Sequence, residues 1–157
     1  MTDPVLETLM LPFHDGALDW PDAPALFLRA RPVEAPRDRL ICEQSFKPMH
    51  AALTRAGFVL RGDQAGPFPM VLVLPPRQRE EYRALLARAV DETAAGGVVV
   101  ASASNLEGAR TIESDLKALC GGVASLSKNK CRVFWAQVDP ARLNRDLLAQ
   151  WAALDAP

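Results

Sequence analysis

The side chains best placed to do chemistry in this sequence are cations. Ser127-Lys128-Asn129-Lys130-Cys131-Arg132 gathers Lys128, Lys130 and Arg132 into one short segment, and residues 116–138 hold no acid. Lysine and arginine on a turn and its adjoining strand suit phosphate groups, whose condensed counterions they displace. These three residues are therefore candidate contacts to a phosphate-bearing partner such as a nucleic acid. The same segment also reads as a solvated hairpin whose lysines blunt a sheet edge, because three cations do not by themselves make a nucleic-acid footprint. Other chemistries fare worse. The histidines, His14 and His50, and the cysteines, Cys42, Cys120 and Cys131, are too few and too scattered for a zinc site, so no metal is expected. A Cys131–His50 dyad is conceivable, but isolated cysteines usually behave as small buried hydrophobes. No glycine-rich phosphate loop ending in Lys-Ser or Lys-Thr is present.

The elements that must position these residues follow from the apolar pattern. Ala25–Arg29 and Leu40–Cys42 read as strands, and Pro32 and Pro36 argue against a helix between them. Ser45 is a candidate cap for a helix running to Ala56, with Gly57 as its stop. Phe58–Leu60 reads as a short strand. The unbroken runs Met70–Leu74 and Val98–Ala101 suit strands covered on both faces. Between them, Tyr82, Leu85, Leu86, Ala89 and Val90 give a helix over 77–94, with Gly96-Gly97 as its stop. Ser104-Asn105-Leu106-Glu107 matches a capping box for the next helix. Val123–Leu126 and Cys131–Val138 form an expected hairpin, with Arg132 and Phe134 on one face. Asp139-Pro140 then opens a last helix carrying Leu147, Trp151 and Leu154. Strand–helix alternation closing on a hairpin predicts an α/β fold. Its sheet should be mostly parallel and twisted, with one antiparallel strand and helices on both faces. That is the Rossmann-like pattern of class I methyltransferases.

In such a fold a nucleotide-like cofactor needs a glycine-rich turn after the first strand. Here that turn reads Arg29-Ala30-Arg31-Pro32-Val33-Glu34-Ala35-Pro36, with two prolines and no glycine. Glu43 ends the second strand, where an acid often meets a ribose hydroxyl, but without the loop it reads as a structural or solvated charge. Leu74-Pro75-Pro76-Arg77 closes the central strand. The corresponding corner of amino methyltransferases reads Asn-Pro-Pro-aromatic, so leucine stands in place of the amide acceptor and arginine in place of the ring. The prolines then read as a rigid turn.

Bulk properties set the outer limits. The 157 residues, 49% hydrophobic and 24% charged, amount to one ordinary globular domain. No apolar run is long enough for a membrane span and no secretory leader is visible, so no membrane partner is expected. Three widely spaced cysteines imply buried thiols in a reducing, cytoplasmic compartment. Residues 1–28 carry five acids and no Lys or Arg. The expected organisation is an acidic, Pro-punctuated arm over 1–24, a methyltransferase-like domain over 25–138, and a C-terminal helix or linker over 139–157.

Taken in order, several motifs resemble the N-terminal domain of RsmC-type ribosomal RNA guanine-N2 methyltransferases. They are Val71-Leu72-Val73-Leu74-Pro75-Pro76, Gly97-Val98-Val99-Val100-Ala101, Asn105-Leu106-Glu107-Gly108-Ala109 and Leu126 to Phe134, with Leu26–Arg31 and Ile41–Gln44 upstream. The resemblance implies two tandem methyltransferase-like domains. The first is degenerate and non-catalytic; the second binds S-adenosylmethionine and carries a catalytic Asn-Pro-Pro-Phe. It further implies that this chain has no catalytic residues and binds no cofactor of its own. Its partners would be ribosomal RNA and a C-terminal catalytic domain, docked through Trp151 and Leu154. A stand-alone pseudo-methyltransferase that binds a protein partner is the alternative, and an active donor-dependent enzyme is the third reading.

Overall fold

The apolar runs become the centre of one seven-stranded sheet. The computed structural model describes residues 3–155. The strands are β1 (Ala25–Leu28), β2 (Leu40–Glu43), β3 (Val59–Leu60), β4 (Phe68–Val73), β5 (Thr93–Ser104), β6 (Ala124–Lys128) and β7 (Cys131–Gln137). Their spatial order is β3-β2-β1-β4-β5-β7-β6. The first five pair in parallel, and β7 lies antiparallel between β5 and β6. The fold is the expected one: a mostly parallel sheet with a single reversed strand.

Helices cover both faces, which is why the central strands lack polar–apolar alternation. Leu26, Leu28, Val71, Val73, Val99, Ala101 and Phe134 face one side. There they pack on α3 (Arg79–Asp91), α4 (Ala109–Cys120) and Trp151 of α5 (Arg145–Ala152). Ala25, Phe27, Cys42, Leu72, Val100 and Val133 face the other, against α1 (Pro4–His14) and Leu53 of α2 (Lys47–Arg55). The link from β1 to β2 has no helix beyond a 3-10 turn at Arg37–Arg39, as Pro32 and Pro36 require.

Several local expectations are corrected. Within the stretch read as an arm, Pro4–His14 form α1. Asp3 accepts hydrogen bonds from the Val5 and Leu6 amides at 3.0 and 3.4 Å, and Leu9 is fully buried. The Thr8 hydroxyl reaches the Lys128 carbonyl at 3.3 Å and Ser102 donates to the Val5 carbonyl at 2.8 Å, so α1 is tied to β5 and β6. Phe13 stacks on Trp20 at 4.0 Å and holds the following loop. Ser45 is not the cap of α2; Phe46 holds that position without a side-chain bond. Gly96-Gly97 do not end α3. They lie inside β5, where Gly97 lets the Pro69 carbonyl approach to 2.6 Å of where a Cβ would stand. Ser104 caps a 3-10 turn over Asn105–Glu107 by accepting from the Leu106 amide, so the capping box does not close, and α4 begins after Gly108. Asp139-Pro140 makes only a turn, and Asn144 caps α5. Among the described residues no helix is long and apolar enough to cross a membrane.

Candidate functional site

Open α/β sheets bind ligands outside the carboxyl ends of their strands, at the point where successive connections diverge to opposite sides. Here β1 connects outward to β2 while β4 lies on its other flank, so that point falls between β1 and β4. Arg29, the first residue after β1, adopts a left-handed conformation with φ of 59°. Glycine adopts that conformation without steric penalty. The side chain that glycine would lack crosses the crevice, and its guanidinium donates to Glu81 of α3 at 2.5 Å. The next turn is stitched to β2. The Ala30 amide donates to the Glu43 carbonyl at 3.1 Å, and the Gln44 side chain donates to the Ala30 carbonyl at 2.8 Å.

Glu43 does stand at the end of β2, but its carboxylate is occupied. Arg88 of α3 grips both oxygens, one of them at 2.6 Å, and Arg61 adds a contact at 3.4 Å. Arg61 also grips Glu92 at 2.5 and 3.0 Å. Hydrogen bonding from Arg61 outweighs partial burial and holds Glu92 below the usual carboxylate range. Hydrogen bonds to Glu43 likewise hold the Arg88 guanidinium in its charged form more firmly than in water. The resulting network ties β2, α3 and the segment after β3 together.

Arg29 divides the carboxyl edge into two clefts. On the α3 side a cleft of about 570 Å³ is lined by Glu43, Gln44, Gln78, Glu81, Leu85 and Arg88. On the α1 and α2 side a cleft of about 270 Å³ is bounded by Phe46, Leu74-Pro75-Pro76, Ser104 and Glu107. Leu74 offers only hydrocarbon where an amide acceptor would be needed.

Because β6 runs parallel to β5, the β6–β7 turn emerges at this same edge. It is a two-residue turn, with Asn129 and Lys130 both left-handed at φ of 53° and 60°, the geometry that matches strand twist in tight hairpins. The Asn105 amide donates to the Lys130 carbonyl at 2.9 Å and fixes the turn against the loop after β5. Lys128 and Lys130 project into solvent. Arg132 does not. All its nitrogens are engaged inside the chain, with Nε on Glu113 of α4, Nη1 on Ser127 at 3.1 Å and Nη2 on Ser125 at 3.0 Å.

Thiol chemistry has no support from the surroundings. All three cysteines are buried and free. Burial pushes the Cys42 thiol up to about 12 and that of Cys120 to about 11, and it also raises Cys131. His50 is exposed on α2, whereas the Cys131 thiol sits beside Thr8 of α1. No group of three His, Cys, Asp or Glu able to hold a metal occurs among the described residues. Trp151, expected to dock a second domain, is instead a core residue under the Arg83 guanidinium at 4.8 Å, while Leu154 is exposed. Sequence reasoning missed Arg29, Glu81, Arg88 and Phe46. A non-glycine residue directly after β1 was the one signal visible in advance.

No family model matches the sequence, and no curated protein matches it. Solved structures share the fold. A 16S rRNA N2-guanine methyltransferase (RsmC) from T. thermophilus, in complex with AdoMet and guanosine, superposes with a TM-score of 0.70 at 18% identity. The match covers 87% of this chain and 39% of that one, so this chain spans about two fifths of its length. A ribosomal protein L11 methylase from Lactobacillus delbrueckii subsp. bulgaricus gives 0.58 at 13% identity over 85% and 78% of the two chains. The N-methyltransferase NodS from Bradyrhizobium japonicum WM9 gives 0.58 at 14% over 85% and 93%. The shared architecture is that of class I S-adenosylmethionine-dependent methyltransferases.

Proposed function

We propose that this chain is a non-catalytic methyltransferase-like domain that engages ribosomal RNA in support of an N2-guanine methyltransferase domain, without binding S-adenosylmethionine itself. The observation that carries the reading is the Arg29–Glu81 strut across the switch point. S-adenosylmethionine is a nucleoside with a cationic sulfonium, and the residues present fit it poorly. Arg29 spans the crevice to Glu81, and both oxygens of the Glu43 carboxylate are already held by Arg88. Leu74, directly after β4, also offers no side-chain amide to accept a hydrogen bond from a target amine, and the Gln78 amide oxygen is taken by the Glu81 amide. A partner domain is supported by the RsmC structure, which is more than twice as long as the stretch this chain matches. In this reading Lys128 and Lys130 meet RNA phosphates, and Arg132 braces the turn that presents them.

Two measurements test it. Calorimetry with S-adenosylmethionine and S-adenosylhomocysteine is expected to give no binding heat, and a crystal with either lodged beside Arg29 would overturn the cofactor-free assignment. Binding of a ribosomal RNA fragment should weaken uniformly in Lys128→Ala/Lys130→Ala, with a salt slope shallower by about 2. Unchanged affinity and slope would remove the RNA role of that turn.

A further inference from the structure

Among the described residues the large apolar side chains left exposed are few: Phe46 at 64%, Leu106 at 86%, Val59 and Leu154. Phe46 and Leu106 share the carboxyl edge, one in the loop after β2 and the other in the loop after β5. Phe46 is held there deliberately. Its amide donates to the Gln44 side chain at 3.0 Å, so the backbone that aims the ring does not depend on the ring. Phe46 and Pro75-Pro76 wall the smaller cleft, and Arg31, Gln44, Ser104 and Glu107 are among the polar groups that line it, the Arg31 guanidinium being paired with Asp3. Glu107 is exposed and has no ion-pair partner among the described residues.

The same edge is cationic. The loops after β2, β4 and β5, the helix turns they start, and the hairpin turn carry Lys47, Arg77, Arg79, Arg110, Lys128 and Lys130, of which Lys128 also borders a separate cleft with Asp3, Glu7 and Glu34. None of these cations has an ion-pair partner among the described residues, and the unpaired acids of those segments are Glu80 and Glu107. An exposed ring beside a shallow slot, on an edge whose loops carry unpaired cations, matches how single-stranded nucleic acid is held, with the base on an aromatic face and phosphates on Lys and Arg.

We infer that the smaller cleft takes one unstacked base of single-stranded RNA, stacked on Phe46 against Pro75-Pro76. The inference rests on the RNA-binding reading above and adds a binding pocket to it. The stacking ring comes from the loop after β2, and Leu74 leaves no side-chain acceptor for methyl-transfer chemistry. The slot holds a base and does not modify it. Glu107, an acceptor-only carboxylate, favours bases that carry an amino donor, so adenine, cytosine and guanine are preferred to uracil.

The test is fluorescence anisotropy of the full chain with labelled single-stranded oligoadenylate, oligocytidylate and oligouridylate. Oligoadenylate and oligocytidylate should bind more tightly than oligouridylate. Phe46→Ala should weaken binding by roughly five- to a hundredfold with the salt slope unchanged, Phe46→Trp should restore it, and Glu107→Gln should remove the base preference. Lys128→Ala/Lys130→Ala should instead flatten the salt slope. If Phe46→Ala binds as the parent does while the lysine variant weakens, the slot is wrong and the RNA reading stands. If the parent binds none of the oligomers or the ribosomal RNA fragment at low salt, both fall.

Discussion

Replacing Arg29 by glycine and by alanine separates two roles that the structure assigns to one residue. Both substitutions remove the bridge to Glu81, whose ends are each 46% exposed. At that exposure the bridge contributes about 0.2–1 kcal/mol. The variants then differ only in how they bear a φ of 59°. A Cβ in that region costs about 1–2 kcal/mol, whereas glycine adds about 0.4–1 kcal/mol of unfolded-state freedom. Glycine should therefore be the more stable of the two by about 0.5–1 kcal/mol, or about 1–4 °C in Tm at this chain length. Urea denaturation with a shared m-value reads the difference directly. Glu81→Gln supplies the cost of the bridge alone and should fall within the same 0.2–1 kcal/mol range. If alanine equals or exceeds glycine, the left-handed turn is not what the chain bears at this position. If Glu81→Gln costs well over 1 kcal/mol, the strut is a structural brace and more than a plug in an old crevice.

Three further outcomes follow from the same coordinates. Gly97→Ala puts a Cβ 2.6 Å from the Pro69 carbonyl and 2.9 Å from that of Ala94, both backbone atoms; thermal unfolding should show a loss of about 1–3 kcal/mol. Lys130→Gly relieves a left-handed lysine, so stability should rise by about 0.5–1 kcal/mol net of unfolded-chain entropy while RNA affinity falls. The raised Cys42 and Cys120 thiols stay protonated in the fold, whereas unfolded thiols ionise near about 8.5. Stability from these groups is thus complete below that pH and declines as pH climbs toward about 11 for Cys120 and about 12 for Cys42. Denaturation midpoints between pH 8 and 11 should show it, with a shallower decline in Cys42→Ala.

The central strands were legible because both faces of β4 and β5 are covered, which writes burial into the sequence as unbroken Val and Leu. Helix α1 was not. Its acids and prolines resemble a loop, although Asp3-Pro4 is a cap followed by proline at the first helical position, a pattern that tolerates the missing amide. The same pair at Asp139-Pro140 yields only a turn, so the motif alone does not decide. The glycine-free loop after β1 marks the position where Arg29 stands left-handed and reaches Glu81. What fills the crevice could not be read, because Glu81 lies 52 residues from Arg29, and Arg88 lies 45 from Glu43. Arg132 illustrates the same limit. Strand alternation placed it on the right face, and only the packing of α4 shows that Glu113 already holds it.

The bonds from Thr8 to the Lys128 carbonyl and from Ser102 to the Val5 carbonyl span 120 and 97 residues. During synthesis α1 therefore leaves the ribosome long before its docking surface exists. Its Leu9 must wait, uncovered, until β7 has slotted in beside β5. Closures of such long range make folding slow and hold aggregation-prone intermediates open. The first helix is consequently held by contacts that only a nearly complete chain can supply, so a truncation before β7 should leave its apolar face uncovered.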